Sequence, residues 1–379
     1  MYFIGLHIDV LFIIIFTLYF FAFIIQILYY LLIYSKLIYY KYSINEIPKL
    51  PVSVIICARD EAANLKKFLP SILTQDYPDF EVIVVNDCSI DNTEIVLNGF
   101  CQIYPNLRYT TIKKDNKFTH GKKLAQTVGI KSAKNEILIF TDADCYSVNN
   151  KWIEKIQQNF IPETEVVLGY GGYIKNKTLL NKLIRYDTIF IAMQYFSFAL
   201  SGFPYMGVGR NLAYRKSVFF KNKGFASHFN LDSGDDDLFV NEVSDKNNTR
   251  IEISIESHTK SLPKTTFKQW IWQKIRHNTT FRYYKPLHKK LLAGEILSRI
   301  FFYCSFIFLL IFYFPLWLFI SIIFILSIIV KIIVIKKILK RLNENDLLLF
   351  SLFFDFLLPL LNMGFVLANI FIPKHNKWK

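Results

Sequence analysis

Residues 136–144 read Glu-Ile-Leu-Ile-Phe-Thr-Asp-Ala-Asp. Ile137 to Phe140 are apolar without alternation and run straight into Thr141, Asp142 and Asp144, the pattern of a strand buried on both faces in a parallel sheet. Two carboxylates at i and i+2 of an extended strand end point the same way, and Ala143 between them lets a ligand approach closely. Hard oxygen ligands so placed suit Mg²⁺ or Mn²⁺ that also holds a diphosphate. Taken alone, the pair equally fits a solvated strand end or a helix cap.

Two further apolar runs precede it, Val52–Ala58 and residues 81–86, and both read as buried parallel strands. Between them Leu65, Phe68, Leu69, Ile72 and Leu73 recur at helical spacing within 62–75. Asp91 is a natural N-cap for a helix after the second strand, and residues 121–133 read as another. Strands alternating with helices give βαβ units, so the predicted fold class is α/β with a mostly parallel central sheet. Ligands of such sheets bind beyond the carboxyl ends of the strands. There stand Arg59 and Glu61 after the first strand and Asp87 at the end of the second. Asp87 could accept from a pyrimidine imide or a ribose hydroxyl, and Arg59 and Glu61 could bracket the same nucleotide. Lys122 opens a helix whose amide groups could meet phosphate oxygens. Asp235, Asp236 and Asp237 are adjacent at another helix start, and three neighbouring carboxylates repel one another, so one with a raised pKa is a candidate general base.

The chain has 379 residues, and although its net charge is +15, 53% of it is hydrophobic, which excludes a disordered or polar nucleic-acid-binding tail. Its five cysteines are scattered, with no CxxC pair, so neither a disulfide framework nor a structural zinc is expected and a reducing compartment fits. From Val10 to Ser35 there are 26 residues without charge, about 39 Å as a helix, enough to span a bilayer. No basic residue but His7 precedes this run, whereas Lys36, Lys41 and Lys49 follow it. An uncleaved anchor with the following domain in the cytoplasm is expected. Residues 178–200 form an aromatic, amphipathic stretch too charged to span. Residues 260–290 carry nine Lys or Arg and no acid, interleaved with aromatic residues. That pattern occurs in single-strand nucleic-acid binders, but beside a membrane span it fits an anionic lipid surface, and no nucleic-acid partner is expected. After Arg299, 31 uncharged residues broken by Pro315 suggest a hairpin of spans at about 295–314 and 316–335, with Arg299 and Lys331 snorkelling. A last span would cover 347–372, leaving Lys374, Lys377 and Lys379 outside. The expected organisation is therefore an anchor at 1–40, a cytoplasmic domain at 45–290 and a C-terminal region of two or three spans at 295–379.

Six short motifs follow in order: 52–61, 86–91, Gly121-Lys122, 141–144, Gly207-Val-Gly-Arg-Asn-Leu-Ala-Tyr-Arg215 and Gly234-Asp-Asp-Asp237. In order and spacing they resemble family 2 glycosyltransferases, specifically membrane-anchored bacterial members with the GT-A fold, over about 51–285. The resemblance implies an inverting, metal-dependent transferase that takes a sugar from a nucleotide-diphospho-sugar, often a UDP-sugar. Asp87 would hold the base, Asp142 the ribose or sugar side, and Asp144 the Mg²⁺ or Mn²⁺. Asp235 or Asp236 would deprotonate the acceptor hydroxyl, the register staying open. Gln273, Arg276 and His277 resemble the Gln-x-x-Arg-Trp motif of processive synthases, with histidine in place of the tryptophan that lines the acceptor site, which counts against processivity. The expected acceptor is a glycolipid or polyprenyl-phosphate-linked glycan at the cytoplasmic face of a bacterial inner membrane, in cell-envelope polysaccharide synthesis. A nucleotidyltransferase could use the same sheet and acidic pair but would need a glycine-rich phosphate loop where Arg59-Asp-Glu61 stands. A non-catalytic membrane scaffold would explain the apolar ends and not the recurring acidic sites.

Overall fold

The computed structural model describes residues 2–3, 6–7, 9–41, 48–114, 121–231 and 233–371. Helix α1 (Val10–Tyr39) leads into β1 (Val52–Ala58), α2 (Ala62–Leu73), β2 (Phe80–Asp87), α3 (Thr93–Ile103), β3 (Leu107–Ile112), α4 (Lys122–Ser132) and β4 (Ile137–Asp142). Next come β5 (Cys145–Ser147), α5 (Trp152–Gln157), β6 (Val166–Gly169), β7 (Gly171–Tyr173) and the long helix α6 (Leu179–Leu200). They are followed by β8 (Leu212–Arg215), α7 (Lys216–Lys221), α8 (Asp237–Val243), β9 (Thr249–Glu252), β10 (Thr259–Ser261) and α9 (Phe267–Asn278). Three long helices close the described chain: α10 (Pro286–Phe312), α11 (Trp317–Arg341) and α12 (Leu348–Phe371).

The main sheet has the order β9-β6-β8-β4-β1-β2-β3. β3, β2, β1 and β4 are parallel, β8 runs antiparallel between β4 and β6, and β9 is parallel to β6. The central position of β1 follows from its composition: successive side chains point to opposite faces, so Val52, Val54, Ile56 and Ala58 enter one core and Ile55 the other. A smaller sheet, β5-β10-β7, lies at the carboxyl end of β4. Helix α3 starts later than its sequence cap suggested. Asp91 stands outside it and accepts instead from the amides of both Thr93 and Ala62, at 3.0 and 3.1 Å, tying two loops together.

Four helices are long and apolar enough to cross a membrane, at Val10–Tyr39, Pro286–Phe312, Phe314–Arg341 and Asn345–Phe365. The C-terminal region thus offers three such helices, the first of which begins at Pro286 and not near 295. Lys374, Lys377 and Lys379 lie outside the described residues. Arg299 and Lys331 do not snorkel. They are 1% and 2% exposed and meet Asp355 at 3.1 and 2.9 Å, with Glu295 on Arg299 at 3.0 Å, in a polar knot that also takes the Tyr303 hydroxyl. Desolvated charges persist only when paired, so each partner here accounts for the other.

Helix α6 also departs from expectation, because it is buried along most of its length and is no interfacial helix. Its buried charged residues, Arg185 and Asp187, are inside because each has a partner. The Arg185 Nε donates to Glu344 at 2.9 Å and its Nη1 to Asp346 at 2.8 Å, in the loop between α11 and α12. Lys260 Nζ reaches the same Glu344 at 3.0 Å, and Asp187 pairs with Lys274 of α9 at 2.9 Å. One continuous core joins Tyr30, Tyr34 and Leu37 of α1, Ile55 and Ile83 of the sheet, Phe196 of α6, and Leu339 and Phe354 of α11 and α12.

Candidate active site

The parallel strands β1, β2 and β4 end side by side, with Cys57 paired across to both Asp142 and Val85. The Cys57 thiol, pushed up by burial, feels the charges of Lys122, Asp235, Asp142 and Asp87, so those four side chains surround the end of β1. The loops here are laced tightly. Ile90 N–H donates to Asp60 Oδ1 at 2.8 Å, the Asp60 amide to Ser89 Oγ at 2.9 Å, and the Glu61 amide to Thr93 Oγ1 at 3.0 Å. Asp60 and Cys88, the residues that follow Arg59 and Asp87, sit at φ of 54° and 56°, a left-handed conformation that costs non-glycine residues about 1–3 kcal/mol each. Arg59 acts electrostatically on Cys88, and Glu61 on Asp144. The strand-end residues singled out in the sequence, Arg59, Glu61, Asp87, Asp142 and Asp144, thus lie near one another at the ends of β1, β2 and β4.

Lys122 does not stand free at the start of α4 to meet a phosphate. Its Nζ lies 3.0 Å from both Asp142 Oδ1 and Asp235 Oδ2, and against the opposing effect of burial those carboxylates raise its pKa and keep it charged. The three adjacent aspartates have different surroundings. Burial alone would raise Asp235, but Lys122 prevails and holds it below the ordinary carboxylate range. Asp237 accepts from Thr280 Oγ1 and, at 2.8 Å, from the Tyr284 hydroxyl, so it ties α8 to the segment after α9. Asp236 is the N-cap residue of α8 and accepts from the Gly209 amide at 2.7 Å. Burial and the charges of Asp235 and Asp237 push Asp236 up to about 7. A side chain at Gly209 would stand only 3.2 Å from Lys122 Nζ and 3.3 Å from Asp236 Oδ2, so the absence of one keeps this corner open.

One carboxylate oxygen each from Asp142 and Asp144 and the Cys145 sulfur lie within 4.8 Å of one another. Burial and the charge of Asp142 raise Asp144, a tension that a cation would relieve. Cys145 is pushed well up by burial and the same aspartates, so it stays a thiol and leaves a hard oxygen pair, which fits Mg²⁺ or Mn²⁺. Asp142 is shared with Lys122, which favours Asp144 as the principal ligand.

Gln273 on α9 donates to the Tyr173 hydroxyl at 3.3 Å, and Arg276, exposed, accepts through its carbonyl from Ser233 beside the aspartates. Desolvation by its surroundings, together with the charges of Arg276, Lys274, Arg210 and Lys122, holds His277 well below its usual range. The structure therefore brings α9 to the same cleft as the aspartates. Sequence reasoning missed Arg210, whose guanidinium lies 4.2 Å over the Tyr173 ring and acts on Asp144 and His277. Its signal was available in the Gly-Val-Gly-Arg-Asn motif quoted above, in which Asn211 pins the loop. The Asn211 amide donates to Tyr170 and Ser257 carbonyls at 3.0 and 2.7 Å and accepts from Trp152 at 3.0 Å.

Comparison with known proteins agrees with this geometry. The profile of glycosyl transferase family 2 matches residues 53–221. The glycosyltransferase AglE of Haloferax volcanii is 36% identical over 106 residues, 27% of this chain and 33% of that protein. The UDP-Glc:alpha-D-GlcNAc-diphosphoundecaprenol beta-1,3-glucosyltransferase WfaP of Escherichia coli is 29% identical over 126 residues, 33% of this chain and 47% of its own. The matches thus span a third to about half the length of these relatives. Among solved structures, the mannosyltransferase PcManGT from Pyrobaculum calidifontis, in complex with GDP-Man and Mn²⁺, superimposes with a TM-score of 0.61 over 94% of this chain and 98% of that one. At 16% identity it speaks for the fold alone. Strand order, strand-end carboxylates and these matches converge: residues 53–221 form a glycosyl transferase family 2 domain, and the fold is GT-A.

Proposed function

We propose that this protein transfers one sugar, with inversion, from a nucleotide-diphospho-sugar to a lipid-presented acceptor, and that Asp236 is its general base. The observation that carries this reading is the pairing of a carboxyl pushed up to about 7, Asp236, with a hard acidic pair, Asp142 and Asp144, about one cleft. A base is most effective with a pKa near the working pH, because it is then both ionised and able to hold a proton. Asp87, Arg59 and Glu61 grip the nucleoside. Asp144 and Asp142 hold Mg²⁺ or Mn²⁺, which when bound supplies positive charge against the departing diphosphate. Asp236 takes the proton of the acceptor hydroxyl as its oxygen attacks the anomeric carbon, while Lys122 keeps Asp235 and Asp142 oriented. Gln273, Arg276 and His277 border the acceptor side.

The acceptor class is supported by placement: the basic segment 260–290 connects the site to α10, and apart from the buried, paired Lys260 and Lys274 its seven remaining cations could attract anionic headgroups at about 1 kcal/mol each near a charged surface. The named acceptor of the Escherichia coli relative is a lipid diphosphate. The loop between α11 and α12 is bonded to Arg185 and Lys260, so Lys336, Lys337, Lys340 and Arg341 sit on the side of the catalytic domain. That distribution supports a cytoplasmic domain over about 45–290, between an anchor at 1–40 and spans beyond 285, in a bacterial inner membrane. The test is release of nucleoside diphosphate by full-length protein in detergent from a panel of UDP-, GDP- and dTDP-sugars. Release should depend on Mn²⁺ or Mg²⁺, stop with EDTA, and collapse in Asp144→Asn. An Asp144→Asn protein of wild-type activity that EDTA still silences would remove the ligand assignment.

A further inference from the structure

Of the cations around the cleft, Lys122 is shared by two carboxylates. Arg210 is placed differently. No carboxylate among the described residues lies within ion-pair distance of its guanidinium, and its side chain makes one long hydrogen bond, Nη1 to the Gly172 carbonyl at 3.5 Å. Yet this guanidinium is firmly held. Its Cζ lies 4.2 Å from the centre of the Tyr173 ring, the Arg210 backbone carbonyl accepts from Thr141 Oγ1 at 3.0 Å and Thr259 Oγ1 at 2.8 Å, and Asn211 next to it is buried and fully bonded. A Cβ at Gly171 would come within 2.8 Å of the Arg210 Cβ, so glycine there is what admits the side chain. An arginine whose backbone and ring contact are fixed, and whose remaining N–H donors face no acceptor among the described residues, is preorganised for an anion from outside the chain.

We propose that Arg210 binds a phosphate oxyanion between the Asp142 and Asp144 pair and helix α9. This rests on the transferase reading above and names a contact for its substrates. The fork geometry of guanidinium matches two phosphate oxygens at once, and the Tyr173 ring backs the fork at 4.2 Å. Tyr173 also accepts from Gln273, so the fork stands where the acidic pair and α9 meet. A phosphate ester arriving there belongs either to the diphosphate of the donor or to a polyprenyl phosphate of the acceptor. The chemistry recognised is the same.

The experiment uses full-length protein in detergent, wild type beside Arg210→Ala, Arg210→Lys and Arg210→Met. The methionine variant keeps an apolar stem against Tyr173 if the alanine variant does not fold, and thermal unfolding reports on both. One arm measures binding of UDP and GDP with Mn²⁺, against uridine and guanosine as phosphate-free controls. The other measures co-sedimentation with phosphatidylcholine vesicles that carry or lack polyprenyl phosphate. Loss of the charge should weaken one phosphate ligand about 10- to 100-fold while the nucleoside controls do not move, with lysine intermediate. Loss in the first arm assigns the donor diphosphate, and loss in the second alone assigns the acceptor phosphate. Folded variants that bind both as wild type does overturn the Arg210 assignment and leave the transferase reading intact. Wild-type protein that binds in neither arm overturns both.

Discussion

At the scale of single residues, the three adjacent aspartates are told apart by their contacts. Asp235 is neutralised by Lys122, Asp237 is bonded into the fold by Thr280 and Tyr284, and Asp236 is left with a carboxyl near 7. A base acts only when ionised, so transfer should be half-maximal near pH 7 and fall about tenfold per unit below it. Asp235→Asn removes a like charge and releases Lys122 toward Asp236, so the acid limb of the kcat/KM profile should move to lower pH. A limb that stays put would show that Asp236 is not the titrating group. Stability should run the other way. The folded pKa of Asp236 is raised above its unfolded value of about 4, so its ionisation costs stability, none below pH 4 and the full amount above about 7. Asp236→Asn should therefore raise the melting temperature at about pH 8 and leave it nearly unchanged at about pH 4, as thermal scans at the two pH values would show. The acidic run itself was legible in the sequence. Its register was not, because it is set by Lys122, Gly209, Thr280 and Tyr284, which are remote in the chain.

At the scale of elements, β1, α2, β2 and β4 could be read from apolar runs and helical spacing because each buries its own pattern. Helix α6 could not. Its Arg185 and Asp187 look like the polar side of a surface helix, and only partners in the α11–α12 loop and in α9 allow them inside. Removing one member of such a pair strands a buried charge, at a cost of about 3–5 kcal/mol. Asp187→Ala should thus lower stability by that order and raise hydrogen exchange over residues 267–278, the helix that carries Gln273, Arg276 and His277. Replacing the pair together, Asp187→Leu with Lys274→Met, should restore much of the loss. A double variant as unstable as the single one would argue that packing, and not the charge, is what α6 provides.

At the scale of the whole molecule, the long apolar helices were legible from uncharged runs, yet they are not set apart from the sheet. Tyr30 and Tyr34 of α1 share one core with the sheet and with α11 and α12, and the polar knot of Glu295, Arg299, Lys331 and Asp355 ties α10, α11 and α12 from within. A fragment of residues 45–290 lacks Glu344 and Asp346, the partners of Arg185 on α6, and Phe365, against which Trp270 of α9 packs, and should aggregate or bind a hydrophobic dye, where full-length protein in detergent elutes as a single species. A stable, monodisperse fragment would contradict that coupling. The central claim, a site that binds a nucleotide-diphospho-sugar and uses Asp236 to activate the acceptor, is tested most directly by measuring binding and transfer together in Asp236→Asn. With the donor that wild type turns over, the account predicts wild-type affinity for the nucleotide, transfer slower by about 10²–10⁴-fold, and inverted anomeric configuration in the wild-type product. Transfer at the wild-type rate by Asp236→Asn, or a product of retained configuration, would contradict it.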